Sequence, residues 1–171
     1  MSAPSEQLVE WVDDAGQVLG IVTRGRMRAE NLRHRSVYVA LLDADGALVV
    51  HRRADWKDVW PGSWDLAFGG VAAIGESWPA AARRELAEEA GIEAVDLDEL
   101  GAFTYDDGFV SVLGRAYLAR ASGPVEPRDG EVVEVTTVPP ADLARWAAER
   151  PVCPDSLAKV LPLLLDRLGA A

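Results

Sequence analysis

The chain has 171 residues and a mass of 18.4 kDa, with 17 basic against 28 acidic side chains and a formal charge of −11. Hydrophobic residues at 49% and charged residues at 26% describe one globular domain over 1–171. At this length roughly 70% of the unfolded chain's surface can be buried, so no disulfide or metal staple is needed. The acidic surplus excludes partners that select basic patches, namely nucleic-acid polymers and anionic membranes, but not a small anionic substrate held through metal ions. A single cysteine, Cys153, excludes an internal disulfide framework and a cysteine zinc site, and fits a reducing, cytoplasmic location. Met1 to Asp14 lacks the basic and apolar regions of a secretory leader. The longest apolar run, Val37 to Leu42, is far too short to span a bilayer.

In chain order, Leu8 to Val12 and Gln17 to Thr23 read as strands around the turn Asp13-Asp14-Ala15-Gly16. Thr23 suits the cap of a short helical or irregular segment, Arg24 to Leu32. Val37 to Leu42 and Ala47 to Arg52 flank Asp43-Ala44-Asp45-Gly46, a hairpin signal. Asp55 to Phe68, with Trp56, Trp60 and Trp64, reads as an ordered loop running into a strand. Ser77 to Ala90 is the clearest helix, with Ser77 as N-cap, Pro79 in the first turn and Gly91 just past the end. Strands follow at about Leu97 to Tyr105, Val110 to Ala121 and Glu131 to Val138. Two helices close the chain, Ala141 to Glu149 and Asp155 to Leu168, the second bent by Pro162. Mixed strands around one central helix predict an α+β or α/β sandwich.

The chemistry concentrates in Gly70 to Ile92, GVAAIGESWPAAARRELAEEAGI. Glu85, Glu88 and Glu89 stand at i, i+3 and i+4, so the three carboxylates share one helical face, while Ala82, Leu86 and Ala90 form an apolar stripe for packing. Like charges at these spacings cost an isolated helix about a few tenths of a kcal/mol each. A hard divalent cation removes that penalty, and Mg²⁺ commonly shares its oxygen ligands with substrate phosphates. A plain solvated acidic face, with Arg84 and Glu88 as an i, i+4 pair, is the competing reading of the glutamates alone.

The wider stretch decides between them. Gly70, Glu76, Arg84-Glu85-Leu86, Glu88-Glu89, Gly91 and Ile92 match every position of G-x5-E-x7-R-E-U-x-E-E-x-G-U, U being aliphatic. This resembles the signature of the Nudix hydrolases, and its seven fixed letters coincide by chance below about 10⁻⁸ per register. The resemblance implies a Nudix α/β/α sandwich with a mixed sheet, preceded by a β-rich extension over 1–35, with the box at 70–92. It implies Mg²⁺, or Mn²⁺, and water attack on a diphosphate. Carried over residue by residue, it makes Glu85, Glu88 and Glu89 metal ligands. Glu89 or Glu88 would also deprotonate the water, Glu76 and the Gly69 carbonyl would complete the metal shell, and Arg84 would orient the glutamates by charge-assisted hydrogen bonds. Phosphoryl transfer needs charge neutralisation and in-line positioning more than a covalent nucleophile, and no partnered serine or cysteine nucleophile stands out.

A second resemblance runs through Leu32-Arg33-His34-Arg35, Gly46, Arg52-Arg53, Lys57, Trp60-Pro61-Gly62, Trp64 and Gly75-Glu76-Ser77. These are similar to isopentenyl-diphosphate isomerase, a non-hydrolytic cousin. The chain departs from it at Gly69, where the isomerases carry a catalytic cysteine, and at Val71, where they carry a metal-binding histidine. Hydrolase chemistry on an isomerase-like N-terminal framework is therefore expected. A catalytically silent nucleotide-binding module is the remaining alternative. The marks of ADP-ribose, dinucleoside-polyphosphate, coenzyme A and NADH hydrolases are not evident, which points to nucleoside di- or triphosphates or another small diphosphate. Arg52, Arg53 and Lys57 are candidate phosphate contacts, Trp60 and Trp64 candidate stacking surfaces for a base, and Glu131, ahead of Glu134, a candidate extra base or ligand. Base, sugar, scissile bond and oligomeric state stay open at this stage.

Overall fold

The computed structural model describes residues 4–121 and 123–169. In chain order the elements are β1 (Leu8–Val12), β2 (Val18–Thr23), α1 (Arg24–Ala29), β3 (His34–Leu42), β4 (Leu48–Arg53), β5 (Trp64–Asp65), β6 (Phe68–Val71), α2 (Trp78–Ala90), β7 (Asp98–Asp106), β8 (Ser111–Arg120), β9 (Val132–Val138), α3 (Leu143–Ala148) and α4 (Leu161–Leu168). The apolar run seen in the sequence becomes β3, buried along almost its whole length and central to the sheet. One edge of β3 pairs in parallel with β8 from His34↔Val112 to Leu42↔Arg120. The other edge is divided among β1 at Trp11↔His34, β6 over Ser36 to Val39, and β4 at Leu41 and Leu42, all antiparallel. β9 extends the sheet beyond β4, and β7 beyond β8. The result is a mixed sheet with helices on both faces.

The two faces follow from the period of two along a strand. Val37, Val39 and Leu41 point to one side and pack with Phe68 against Ala81, Ala82, Leu86 and Ala90 of α2. Ala40 and Leu42 point to the other side, where Leu48, Val50 and Leu118 meet Leu143 and Ala147 of α3 and Leu164 of α4. The stripe of alanines lets α2 lie close to β6, which sets the depth of the glutamates on that helix. Its ends form as the sequence predicts: Ser77 accepts a hydrogen bond from the Ala80 N–H (3.4 Å), and Gly91 takes the left-handed conformation (φ 71°).

Two elements differ from expectation. α1 stops at Ala29 rather than continuing to Leu32, because Asn31 turns the chain at φ 47°, a conformation asparagine tolerates. The last helix is not a single bent rod. Ser156 to Val160 wind as a π-type turn before α4, with the Leu161 N–H reaching back to the Ser156 carbonyl. Pro162 has no N–H to close the narrower helical turn, and the wider winding accommodates that. The N-terminal hairpin is tied to the glutamate-bearing segment as well as to β3: the Gly75 N–H donates to Glu10 Oε1 (3.0 Å), and Glu10 Oε2 lies 3.3 Å from Arg35 Nη2. Among the described residues no helix is long and apolar enough to cross a membrane.

His51 on β4 is buried, stacked on Phe68 with ring centroids 4.4 Å apart, and its Nδ1 has no hydrogen-bond partner. Burial pushes its pKa down to about 4. A histidine that folds neutral costs stability as pH falls from its ordinary 6.5 toward that value. His51→Leu is therefore expected to gain about 2 kcal/mol on wild type between pH 7.5 and pH 5. Denaturant midpoints at the two pH values measure it, and an unchanged difference would exclude this origin of acid lability.

Candidate active site

α2 presents its three glutamates to three different depths. Glu89 is buried (2% exposed) and turned toward β6, where its Oε2 accepts a hydrogen bond from the Gly69 N–H at 2.9 Å. Glu85 lies beside Gly70. A Cβ at that glycine would sit 2.8 Å from both Glu85 carboxylate oxygens, so the missing side chain is what admits the carboxylate. Glu88 stands at the rim, with its side chain 52% exposed. Burial, and then the Glu85 charge, push the Glu89 carboxyl well up from the usual carboxylate range. Burial also raises Glu85, against the pull of Arg84.

Arg84 is the hub on the outer side. Its Nε and Nη2 grip Glu76 through both carboxylate oxygens at 3.0 Å, and its Nη1 reaches Glu85 (2.7 Å) and Glu88 (3.3 Å). Glu76 also accepts from the Ala73 N–H (2.8 Å), and Arg35 holds the Glu76 carbonyl (2.8 Å). The two hydrogen bonds from Arg84 keep the Glu76 carboxyl below its ordinary value. Glu76 is thereby committed to the guanidinium, which distinguishes it from the other glutamates.

Opposite α2, the turn before β9 brings Asp129 and Glu131 to the cluster. Carboxylate oxygens of Glu89, Asp129 and Glu131 lie within 4.8 Å of one another, and Glu131 is also ion-paired with Lys57. This set of hard oxygen donors suits a divalent cation such as Mg²⁺ or Mn²⁺. Burial is the main cause of both raised carboxyls, with the Glu88 charge adding to it at Glu85 and the Glu85 charge at Glu89.

Two adjoining clefts, one narrow and one wider, share Arg24, Lys57 and Gly69 to Val71 as a common wall. The larger holds Glu85, Glu88, Asp129 and Glu131. The smaller is lined by Arg28, Arg53, His34 and Trp60, with Asp155 and Tyr38 deeper in. His34 is buried, with Nδ1 3.1 Å from the Leu32 carbonyl oxygen and Nε2 3.4 Å from Arg28 Nη1. Burial and then the Arg28 charge push its pKa down to about 3, so it is neutral in the cleft.

Of the residues expected to touch substrate, Arg53, Lys57 and Trp60 line the smaller cleft. Arg52 and Trp64 do not, and both expectations are corrected. Arg52 neighbours Arg53 on a strand and so points to the other face, where its Nε meets Glu134 (3.2 Å). Trp64 packs edge-on against Trp146 (5.3 Å) in the core beneath α3. Gly69 meets the cluster through its N–H. Two participants were not foreseen: Asp129, which reads in sequence as an ordinary Arg-Asp-Gly turn, and the pair Arg24 and Arg28. The i, i+4 spacing of those arginines was the available signal, but only the pairing of β1 with β3 carries α1 to the cleft.

The family model of the NUDIX domain matches residues 32–156. The chain belongs to the Nudix family. An uncharacterized Nudix hydrolase of Pseudomonas aeruginosa is 35% identical over 165 residues, covering 96% of this chain and 97% of that protein. The uncharacterized Nudix hydrolase YfcD of Escherichia coli is 37% identical over 161 residues, covering 92% and 88%. A crystal structure of a Deinococcus radiodurans protein superposes with a TM-score of 0.77 at 26% identity, covering 91% of this chain and 98% of that one. The NUDIX domain of Shewanella oneidensis NrtR, solved with ADP ribose, shares the fold at 19% identity and a TM-score of 0.65, covering 86% and 99%. As a Nudix hydrolase the protein is an enzyme of the pyrophosphohydrolase kind. The isomerase branch fits this Nudix chain poorly on steric grounds as well. A Cβ at Gly69 would overlap the Val37 carbonyl oxygen, so position 69 has no room for the cysteine of that branch.

Proposed function

We propose that this Nudix enzyme hydrolyses nucleoside di- or triphosphates to the monophosphate, by Mg²⁺-dependent attack of water on phosphorus. One observation carries the reading: the carboxylates of α2 and of the turn before β9 converge at the mouth of a cleft lined by arginine and lysine. Acid groups for a divalent cation and basic groups for phosphate oxygens are what phosphoryl transfer to water requires. Glu85 and Glu89, with Glu88 at the rim, would hold the cation. Bound there, it would neutralise phosphate charge and acidify the attacking water.

The chain's own groups divide the remaining work. Arg84 fixes the glutamates through four hydrogen bonds and keeps Glu76 as a strut between the loop and the helix. Glu88 at the rim and Glu131 across the cleft, both more exposed than Glu85 and Glu89, would each offer an Oε atom to take the proton that the water gives up. Arg53 and Lys57 meet the phosphates in the smaller cleft.

A panel of nucleoside phosphates, sugar nucleotides and dinucleotides with Mg²⁺ tests the proposal. Turnover is expected with nucleoside di- or triphosphates and in no case without a divalent cation. No turnover of any diphosphate would sink the reading in favour of a silent binding domain.

A further inference from the structure

We infer that Arg24 and Arg28 of α1 complete, with Arg53 and Lys57, a seat for a terminal phosphate dianion. The substrate would then end in an unesterified phosphate rather than carry an organic group on both sides of the diphosphate. The inference rests on the proposed hydrolysis of nucleoside di- or triphosphates and names the residues that would select their free terminal phosphate.

In a chain of charge −11, four cations converge on one narrow cleft next to the glutamate cluster. Lys57 is ion-paired with Glu131, and Asp65 and Asp155 also line the cleft, but the three arginines are only loosely paired. A single oxygen, Asp58 Oδ2, serves both Arg28 Nε (3.3 Å) and Arg24 Nε (3.5 Å). Arg24 Nε is buried and makes no hydrogen bond. Arg53 has only a long approach to Asp65 (3.8 Å). The excess is visible in the neighbours, for the Arg28 charge helps to hold His34 neutral. Arg24 and Lys57 belong to both clefts, so an anion held between them lies directly beside the glutamates.

The donor chemistry selects the ligand. Guanidinium and ammonium groups only donate hydrogen bonds, and a phosphate oxygen only accepts them. A sugar hydroxyl or a base edge can accept from these groups but also brings donors that they cannot answer, so a phosphate matches them more fully. A terminal phosphate carries about 1.5 to 2 negative charges at neutral pH, whereas a phosphate esterified on both sides carries one. Beyond the four cations the cleft is walled by Val59, Val110 and Val112, and the Asp155 carboxylate deeper in is already engaged by the Tyr38 hydroxyl (2.8 Å).

The test pairs kinetics with binding. Arg24→Ala, Arg28→Ala and the matching lysine variants are compared with wild type on ADP and on ADP-ribose, with Mg²⁺. In parallel, inorganic pyrophosphate is titrated calorimetrically into the metal-free proteins. Wild type is expected to prefer ADP to ADP-ribose. Each alanine variant should raise the ADP KM about tenfold and weaken pyrophosphate binding by a similar factor, with a smaller loss for lysine, which keeps the charge but not the fork. The lysine variants keep the test decisive if an alanine variant does not fold. ADP-ribose turned over as well as ADP, or pyrophosphate binding unchanged in folded variants, would overturn the seat. If wild type hydrolyses no diphosphate at all, the proposed function fails, and the pyrophosphate titration still decides the seat.

Discussion

Glu89→Gln is expected to lower kcat by about 10²–10³-fold, a loss of about 3–4 kcal/mol of transition-state stabilisation, while the metal-free protein becomes more stable at alkaline pH. The two effects have one origin. Glu89 is buried beside Glu85, and both burial and that neighbour push its carboxyl up toward the protonated form. An acid whose folded pKa lies above its unfolded value weakens the fold progressively as pH rises from the ordinary carboxylate range to the folded value. The amide carries no charge, and its oxygen still accepts from the Gly69 N–H that Glu89 meets at 2.9 Å. Thermal melts in EDTA at pH 5 and pH 8 should therefore show the variant's advantage at pH 8 and little at pH 5. Glu88→Gln serves as the contrast: a comparable loss of turnover is expected, but no such gain, because the Glu88 side chain is 52% exposed. Near wild-type kcat in both variants with Mg²⁺ would show that the glutamate roles are assigned to the wrong residues. A Glu89→Gln protein that melts lower at pH 8 would show that the buried charge is already compensated.

Gly69→Ala is expected to destabilise the fold by about 3 kcal/mol or more, since the added methyl meets backbone rather than a movable side chain. The new Cβ would overlap the Val37 carbonyl oxygen on the neighbouring strand, and Gly69 pairs with Tyr38 in that same ladder. Relief would require β6 to move away from β3. That would break the pairing from Ser36 to Val39 and displace the N–H that holds Glu89. For a domain of this size the change corresponds to a fall in melting temperature of about 6–12 °C. Gly70→Ala should behave differently, because its Cβ would meet the tip of Glu85 at 2.8 Å, a group that can swing aside. There the fold should survive while turnover drops, as the carboxylate leaves its place. Equal melting temperatures for wild type and Gly69→Ala would show that β6 has slack the packing does not reveal.

The helix of the candidate site was legible because its signals are local. Ser77 and Gly91 mark its ends, Ala82, Leu86 and Ala90 mark the packed side, and the spacing of Glu85, Glu88 and Glu89 places three carboxylates on the other. What spacing does not carry is depth. Shared helical phase leaves Glu89 buried, Glu85 half-hidden and Glu88 open, and that gradation comes from the approach of β6, made possible by the bare glycines at 69 and 70. Arg52 and Trp64 show the same limit from the other side. A basic or aromatic residue near the box has the right chemistry, but the alternation of a strand decides whether it faces the cleft or a neighbour such as Glu134 or Trp146.

The sequence by itself determined the family, the sandwich of mixed sheet and helices, and the identity of the metal-binding glutamates as candidates. Each of these rests on patterns within about a dozen consecutive residues or on a motif with seven fixed letters. The charge of −11 also stands, with part of it concentrated in the carboxylate cluster of Glu89, Asp129 and Glu131. Only the tertiary structure decided which carboxylates face one another across the cleft, and which cations of a net acidic chain are gathered beside them. Asp129 and Glu131 come from the turn before β9, Arg24 and Arg28 from the N-terminal helix, and Lys57 from the loop between β4 and β5. They meet because β3 pairs with β1, β6, β4 and β8. Those contacts join segments far apart along the chain, and no local pattern records them.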